Sequence, residues 1–134
     1  MKLGLDTSVV LRLLTGEPAG MAAVCGERLE AAARAGDRVV VSDLVVLEAY
    51  HALQFHYELP KERAREAIAR MFRSGQVEPD RPETAEAYAP AAGAGPVDRL
   101  IHSRYAALGA RTLTFDDLQS RLAGAERLRE RRHR

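Results

Sequence analysis

Apolar residues fall into two periods along this chain. Short runs, "KLGL" at 2–5, "RVVVS" at 38–42 and "RTLTF" at 111–115, read as strands, the second being the clearest for its valines, with "QVEP" at 76–79 as a shorter candidate. Between them lie stretches with helical spacing. "VVLRLL" follows Asp6-Thr7-Ser8, and "AGMAAVCGERLEAAARA" runs from Pro18 to about Gly36. "DLVVLEAYHALQF" spans 43–55 behind Ser42, a good N-cap, and a further helix runs from Pro60 to about Phe72. "PETAEAYAPAA" and "PVDRLIHSRYAALG" each carry a proline at the helix start. Strands separated by helices predict an α/β fold, a parallel sheet with helices on both faces. In such sheets ligands bind beyond the carboxyl ends of the strands.

One position departs from the pattern. Glu48 lies within "DLVVLEAYHALQF", with Leu44, Val45, His51 and Ala52 at helical spacing and Phe55 a turn further on. A carboxylate there interrupts an apolar stripe instead of lying on a polar one. Burying it alone costs several kcal/mol unless it is paired, by His51 or an arginine, protonated, or bound to a metal.

Length and composition narrow the picture. At 134 residues, 46% hydrophobic and 29% charged, without repeats or a linker, the chain suits one domain over residues 1–128 with a basic tail at 129–134. No apolar run approaches the roughly 20 residues of a membrane span. The start "MKLGLDTSVV" lacks a signal-peptide pattern, and Cys25 has no second cysteine to pair with, so a reduced, cytoplasmic protein is expected. The formal charge of +1 is uneven, with six Arg and two Glu in the last fourteen residues. That basic end suits contact with a polyanion, or simply a solvated terminus.

Acids follow the predicted strands. Asp6 succeeds "KLGL", Asp116 and Asp117 succeed "RTLTF", Asp98 lies in the helix turn opened by Pro96, and Glu48 is two turns beyond "RVVVS". Taken singly, Asp6 and Asp116 read equally well as N-caps, Asp98 as an acid favoured by the helix dipole and Asp117 as a solvated first-turn residue. Taken together they form a hard oxygen donor set suited to one or two Mg²⁺ or Mn²⁺ ions, with no Cys/His cluster for zinc. Carboxylate-held divalent ions are a common means of cleaving phosphodiesters, because the metal acidifies a bound water and steadies charge on phosphate. Without metal the same acids repel a nucleic-acid backbone.

The segments "LDTSVVLRLLTGEP", "VSDLVVLEAYHAL", "VDRLIHSRYAALGARTLTFDDLQ" and "GAERL" resemble, in that order, those of PIN-domain proteins, most nearly the VapC-type ribonuclease toxins of toxin–antitoxin pairs. The resemblance runs from about residue 2 to residue 128. It implies a PIN-like α/β/α sandwich with a short central parallel sheet and a metal-dependent endoribonuclease. Asp6, Glu48, Asp98 and Asp116 match the family's acidic positions and would hold Mg²⁺ or Mn²⁺. Thr7, Ser8 and Thr114 match small hydroxyl residues that orient carboxylates or waters. The resemblance also implies a homodimer, a cognate antitoxin partner whose tail can block the site, and structured RNA as the substrate. Two positions depart from the family pattern: Ser8 stands where Asn is frequent, and Gly95 where a further acid often sits. Asp116 is taken over Asp117 because it directly follows "TF".

RNA contact is expected mainly from arginine, with Arg12 and Arg99 nearest the motif segments. The apolar faces of "VVLRLL" and "AGMAAVCGERL" suit either core or a dimer and antitoxin groove. Two other functions compete. A non-catalytic PIN-like binding module would use the acids only as caps and bind no Mg²⁺ or Mn²⁺. A haloacid-dehalogenase-like phosphatase needs a lysine beside its aspartyl phosphate, and Lys2 and Lys61 are the only lysines.

Overall fold

The computed structural model describes residues 1–131, so residues 132–134 of the expected basic tail lie outside the described residues. The chain divides into two compact units, Met1–Ala89 and Pro90–Arg134. No single helix among the described residues is long and apolar enough to cross a membrane.

The first unit is an α/β layer arrangement on a three-stranded parallel sheet. Strand β1 (Lys2–Gly4) pairs with β2 (Arg38–Val41), and β2 pairs with β3 (Glu78–Pro79). Helices α1 (Thr7–Thr15) and α2 (Ala19–Ala35) connect β1 to β2, while α3 (Asp43–Phe55) and α4 (Lys61–Arg73) connect β2 to β3. A short α5 (Pro82–Tyr88) follows. Parallel strands need such crossovers because a hairpin turn cannot reverse the chain twice. Each helix end has a local cause. Gly16 and Gly36, at φ of 71° and 75°, close α1 and α2 in the left-handed conformation that glycine adopts without Cβ strain. Ser42 caps α3 by accepting the Val45 N–H at 3.2 Å.

The core of this unit comes from one face of each element. Val39 and Val41 point inward from β2, Val10 from α1, and Val46, Ala49, Tyr50 and Leu53 from α3. On α4, Ala64, Ile68 and Met71 recur at helical spacing while Lys61, Glu62 and Arg63 face water. Tyr50 and Tyr88 meet edge to face with centroids 5.5 Å apart.

The second unit is smaller. Helix α6 (Pro96–Ala107) leads to β4 (Thr112–Thr114), a four-residue α7 (Asp117–Ser120) and β5 (Ala125–Arg127), which pairs with β4 in parallel. The sequence pattern predicts "PETAEAYAPAA" as helix throughout, but α5 stops at Tyr88, just before Pro90, which has no N–H to continue a helix. "QVEP" narrows to two strand residues.

Candidate metal site

In the first unit Asp6 immediately follows the sheet, where the Leu5 N–H still bonds the Val40 carbonyl at 3.0 Å. Asp6 occupies the N-cap position of α1, and its carbonyl accepts the Val9 and Val10 N–H groups at 3.1 Å, yet its side chain makes no capping bond. The N-cap reading therefore does not account for this carboxylate, which is exposed. The next residue, Thr7, donates its hydroxyl to Glu48 Oε1 at 3.2 Å. The residue next to Asp6 thereby ties the start of α1 to the Glu48 carboxylate on α3. Ser8 is exposed and lies at the edge of an apolar groove between α1 and α2, lined by Val9, Met21 and Val24. Arg12 borders the same groove, and its Nε is buried without a hydrogen-bond partner among the described residues.

The expectation that Glu48 is a buried acid is corrected here. Its stripe of apolar neighbours exists but faces outward: Leu44 is 70% and Phe55 68% exposed, and His51 stacks on Phe55 at 4.5 Å. The buried stripe of α3 is Val46, Ala49, Tyr50 and Leu53, about one residue round the helix, and Glu48 itself is exposed. A helix so apolar shows its periodicity weakly, so the sequence does not tell its two faces apart.

Some acids elsewhere are matched by cations. Arg73, and then Arg65, hold the Glu66 carboxyl below the usual glutamate range, and Arg38 does the same to Glu78 through hydrogen bonds of 2.9 and 3.1 Å. Asp37 meets the N-terminal ammonium at 3.2 Å. Asp6 and Glu48 form no ion pair among the described residues. Asp80, which the sequence reading missed, ends β3 much as Asp6 ends β1. It is fully engaged, accepting the Asp43 N–H at 3.2 Å and the Thr84 hydroxyl at 2.8 Å.

In the second unit Asp98 lies in the first turn of α6, half-buried. Asp116 caps α7 by accepting the Gln119 N–H at 2.7 Å, so the capping reading holds for this acid. Its own N–H donates to Thr114 Oγ1 at 3.0 Å, which sets the turn after β4. Asp117 is bound by Arg121 at 2.7 Å and Arg127 at 2.9 Å. The arginines neutralise Asp117 and leave Asp116 as the acid of this pair without a cationic partner among the described residues. Arg99 has its guanidinium turned to the preceding loop, donating to the Ala94 and Ala92 carbonyls at 2.8 and 3.0 Å. That arch depends on Gly93, at φ of 84°, where an added Cβ would stand 2.9 Å from the Arg99 guanidinium. His102, also missed, bridges α6 to β4 and the following loop: it lies 2.7 Å from Thr112 Oγ1 and 2.6 Å from the Ala123 carbonyl. The carbonyl only accepts, so Nε2 carries a proton.

The donor set is oxygen-only and suits a hard divalent ion. Asp6 and Glu48 belong to the first unit and Asp98 and Asp116 to the second, and among the described residues no group of three or more His, Cys, Asp or Glu side chains is gathered as a metal centre. The chemistry of the donors, oxygen only, is that of a Mg²⁺ or Mn²⁺ site.

The family model of the PIN domain matches residues 4–125, nearly the whole chain. PIN domains have an α/β/α fold, are generally metal-dependent nucleases and usually bind divalent metals. No curated protein and no solved structure matches the chain.

Proposed function

The chain belongs to the PIN-domain family, and from that premise we propose that it is a Mg²⁺- or Mn²⁺-dependent endoribonuclease acting as the toxin of a toxin–antitoxin pair. The observation that carries this reading is the treatment of Asp6 and Glu48. Asp6 stands exposed just beyond β1 without a side-chain cap, and the next residue, Thr7, donates to the exposed Glu48 carboxylate on α3. Exposed carboxylates with hard oxygen donors are suited to a divalent cation.

On this reading Asp6, Glu48, Asp98 and Asp116 supply the oxygen ligands. The ion, when bound, acidifies a water and offsets charge on the phosphate. The chain's own residues prepare that centre. Thr7 holds the Glu48 carboxylate, Thr114 fixes the backbone of Asp116, and Asp116 Oδ1, bonded to the Gln119 N–H, sets the direction of its second oxygen. Arginine supplies phosphate contacts, with Arg12 better placed than Arg99, whose donors already serve the 92–94 loop.

The proposed partners are structured RNA, a second copy of the chain and an antitoxin, all in the cytoplasm. Support for protein partners comes from apolar surface left open in the first unit: Leu44 and Phe55 on α3, and Met21 and Val24 along the α1–α2 groove. The test is induction in a bacterial host alongside cleavage of total RNA by the purified protein. Growth arrest and Mg²⁺-dependent cleavage, both lost in an Asp6→Asn protein that accumulates equally, support the reading. Normal growth with no cleavage by the folded wild type overturns it, and Mn²⁺ binding absent altogether would favour the binding-module alternative.

A further inference from the structure

Gln119 is a buried amide in a helix of only four residues, 8% exposed, and its polar atoms are used. Its backbone N–H donates to Asp116 Oδ1 at 2.7 Å, and its Oε1 accepts the Thr114 hydroxyl at 3.0 Å. Nε2 donates to the Asp98 backbone carbonyl in a longer bond of 3.4 Å. Thr114 Oγ1 in turn accepts the Asp116 N–H at 3.0 Å. Each of these bonds ends on Asp98, on Asp116 or on the threonine that holds Asp116.

A buried primary amide must replace the hydrogen bonds it gave to water, and an apolar side chain of equal length would fill the same space without that demand. Packing alone therefore does not explain an amide here. What the amide adds is direction: it ties the first turn of α6 to the turn between β4 and α7, the two segments that carry Asp98 and Asp116. His102 joins α6 to the same strand further along, at Thr112, so β4 is held against α6 at two points.

We infer that Gln119 is a positioning residue for the metal site, fixing the Asp98 and Asp116 segments relative to each other through its side-chain amide. The inference rests on the nuclease reading above. Gln119→Met separates the two contributions of this residue. It keeps length and the backbone N–H that Asp116 uses to cap α7, and it removes only the side-chain bonds to Thr114 and Asp98. Gln119→Glu retains an acceptor for Thr114, loses the donor to Asp98 and adds a like charge beside the acids.

The experiment titrates Mn²⁺ into wild type, Gln119→Met, Gln119→Glu and Thr114→Val, alone and with Gln119→Met, following free Mn²⁺ by its paramagnetic resonance signal. Thermal unfolding without metal and kcat and KM on a defined RNA are measured on the same proteins. Loss of an outer partner of a metal ligand costs about 10- to 100-fold in affinity or activity. Gln119→Met is expected to bind Mn²⁺ about 10-fold more weakly, with kcat reduced and KM little changed. The Thr114→Val and Gln119→Met losses are expected to overlap instead of multiplying, since both remove one shared bond. Should Gln119→Met fail to fold, Gln119→Glu and Thr114→Val carry the same comparison. Wild-type Mn²⁺ affinity and kcat in folded variants, with only the melting temperature lowered, overturn the inference and leave the nuclease reading standing. A wild type that neither binds Mn²⁺ nor cleaves RNA overturns both.

Discussion

The Thr7 hydroxyl donates to Glu48 Oε1 at 3.2 Å, joining the first residue of α1 to an exposed carboxylate on α3. Thr7 directly follows Asp6, so the bond ties the segment that carries one candidate ligand to the side chain of another. Thr7→Val keeps shape and removes the donor. Cleavage is expected to fall about 10-fold, as for other outer partners of metal ligands. The melting temperature should move little, because the bond is exposed to water. Initial rates and thermal unfolding on one preparation check both parts.

Asp6 and Asp116 should behave alike in activity and differently in stability. Asp6 makes no side-chain cap, so Asp6→Asn should leave unfolding free energy within about 0.5 kcal/mol of wild type. Asp116 does cap α7, and Asp116→Ala should cost about 1 kcal/mol. Urea denaturation separates the two, while both variants should lose metal-dependent cleavage.

Arg99 is expected to act on the fold before it acts on RNA. Its two bonds to the Ala94 and Ala92 carbonyls are charge-assisted, and Arg99→Ala should destabilise the protein by about 2 kcal/mol. Amide exchange should rise across residues 92–95. The salt dependence of RNA binding should keep its slope, which a direct phosphate contact would lower by about one.

Tyr88 offers a test of the core with a pH signature. Its hydroxyl is buried without a hydrogen-bond partner among the described residues, and burial, followed by the neighbouring Tyr50, pushes the phenol above its ordinary range. Removing that oxygen in Tyr88→Phe should stabilise the protein by about 1 kcal/mol at neutral pH. The folded state holds the phenol proton more tightly than the unfolded chain, so titration of this group leaves stability unchanged below about pH 10 and lowers it as pH rises toward the folded value. Tyr88→Phe should therefore shallow the alkaline loss of stability. Tyr50, whose phenol is also raised by burial, should leave part of that loss in place.

The sequence carried the layered α/β plan because valine-rich runs and capped helices are local signals. "RVVVS" and Ser42 gave β2 and the start of α3, and Pro96 gave the start of α6. Strand β5 was not legible, since Ala125-Glu126-Arg127 has no apolar alternation and is strand only through its pairing with β4. The outward face of α3 was also hidden, because Leu44 and Phe55 are as apolar as the residues that α3 buries. Asp116 and Gln119 were a recoverable signal: an acid followed three residues later by glutamine is a capping pattern. The side-chain bonds of Gln119 to Thr114 and Asp98 are tertiary, and no spacing rule reports them.

Cleavage of a defined structured RNA by the purified wild-type protein, with Mg²⁺ or Mn²⁺ present, chelated by EDTA and then restored, tests the central claim most directly. The account predicts discrete internal cuts that stop in EDTA, return when metal is restored, and are missing in folded Asp6→Asn. Equal cutting in excess EDTA, or by folded Asp6→Asn, would contradict it.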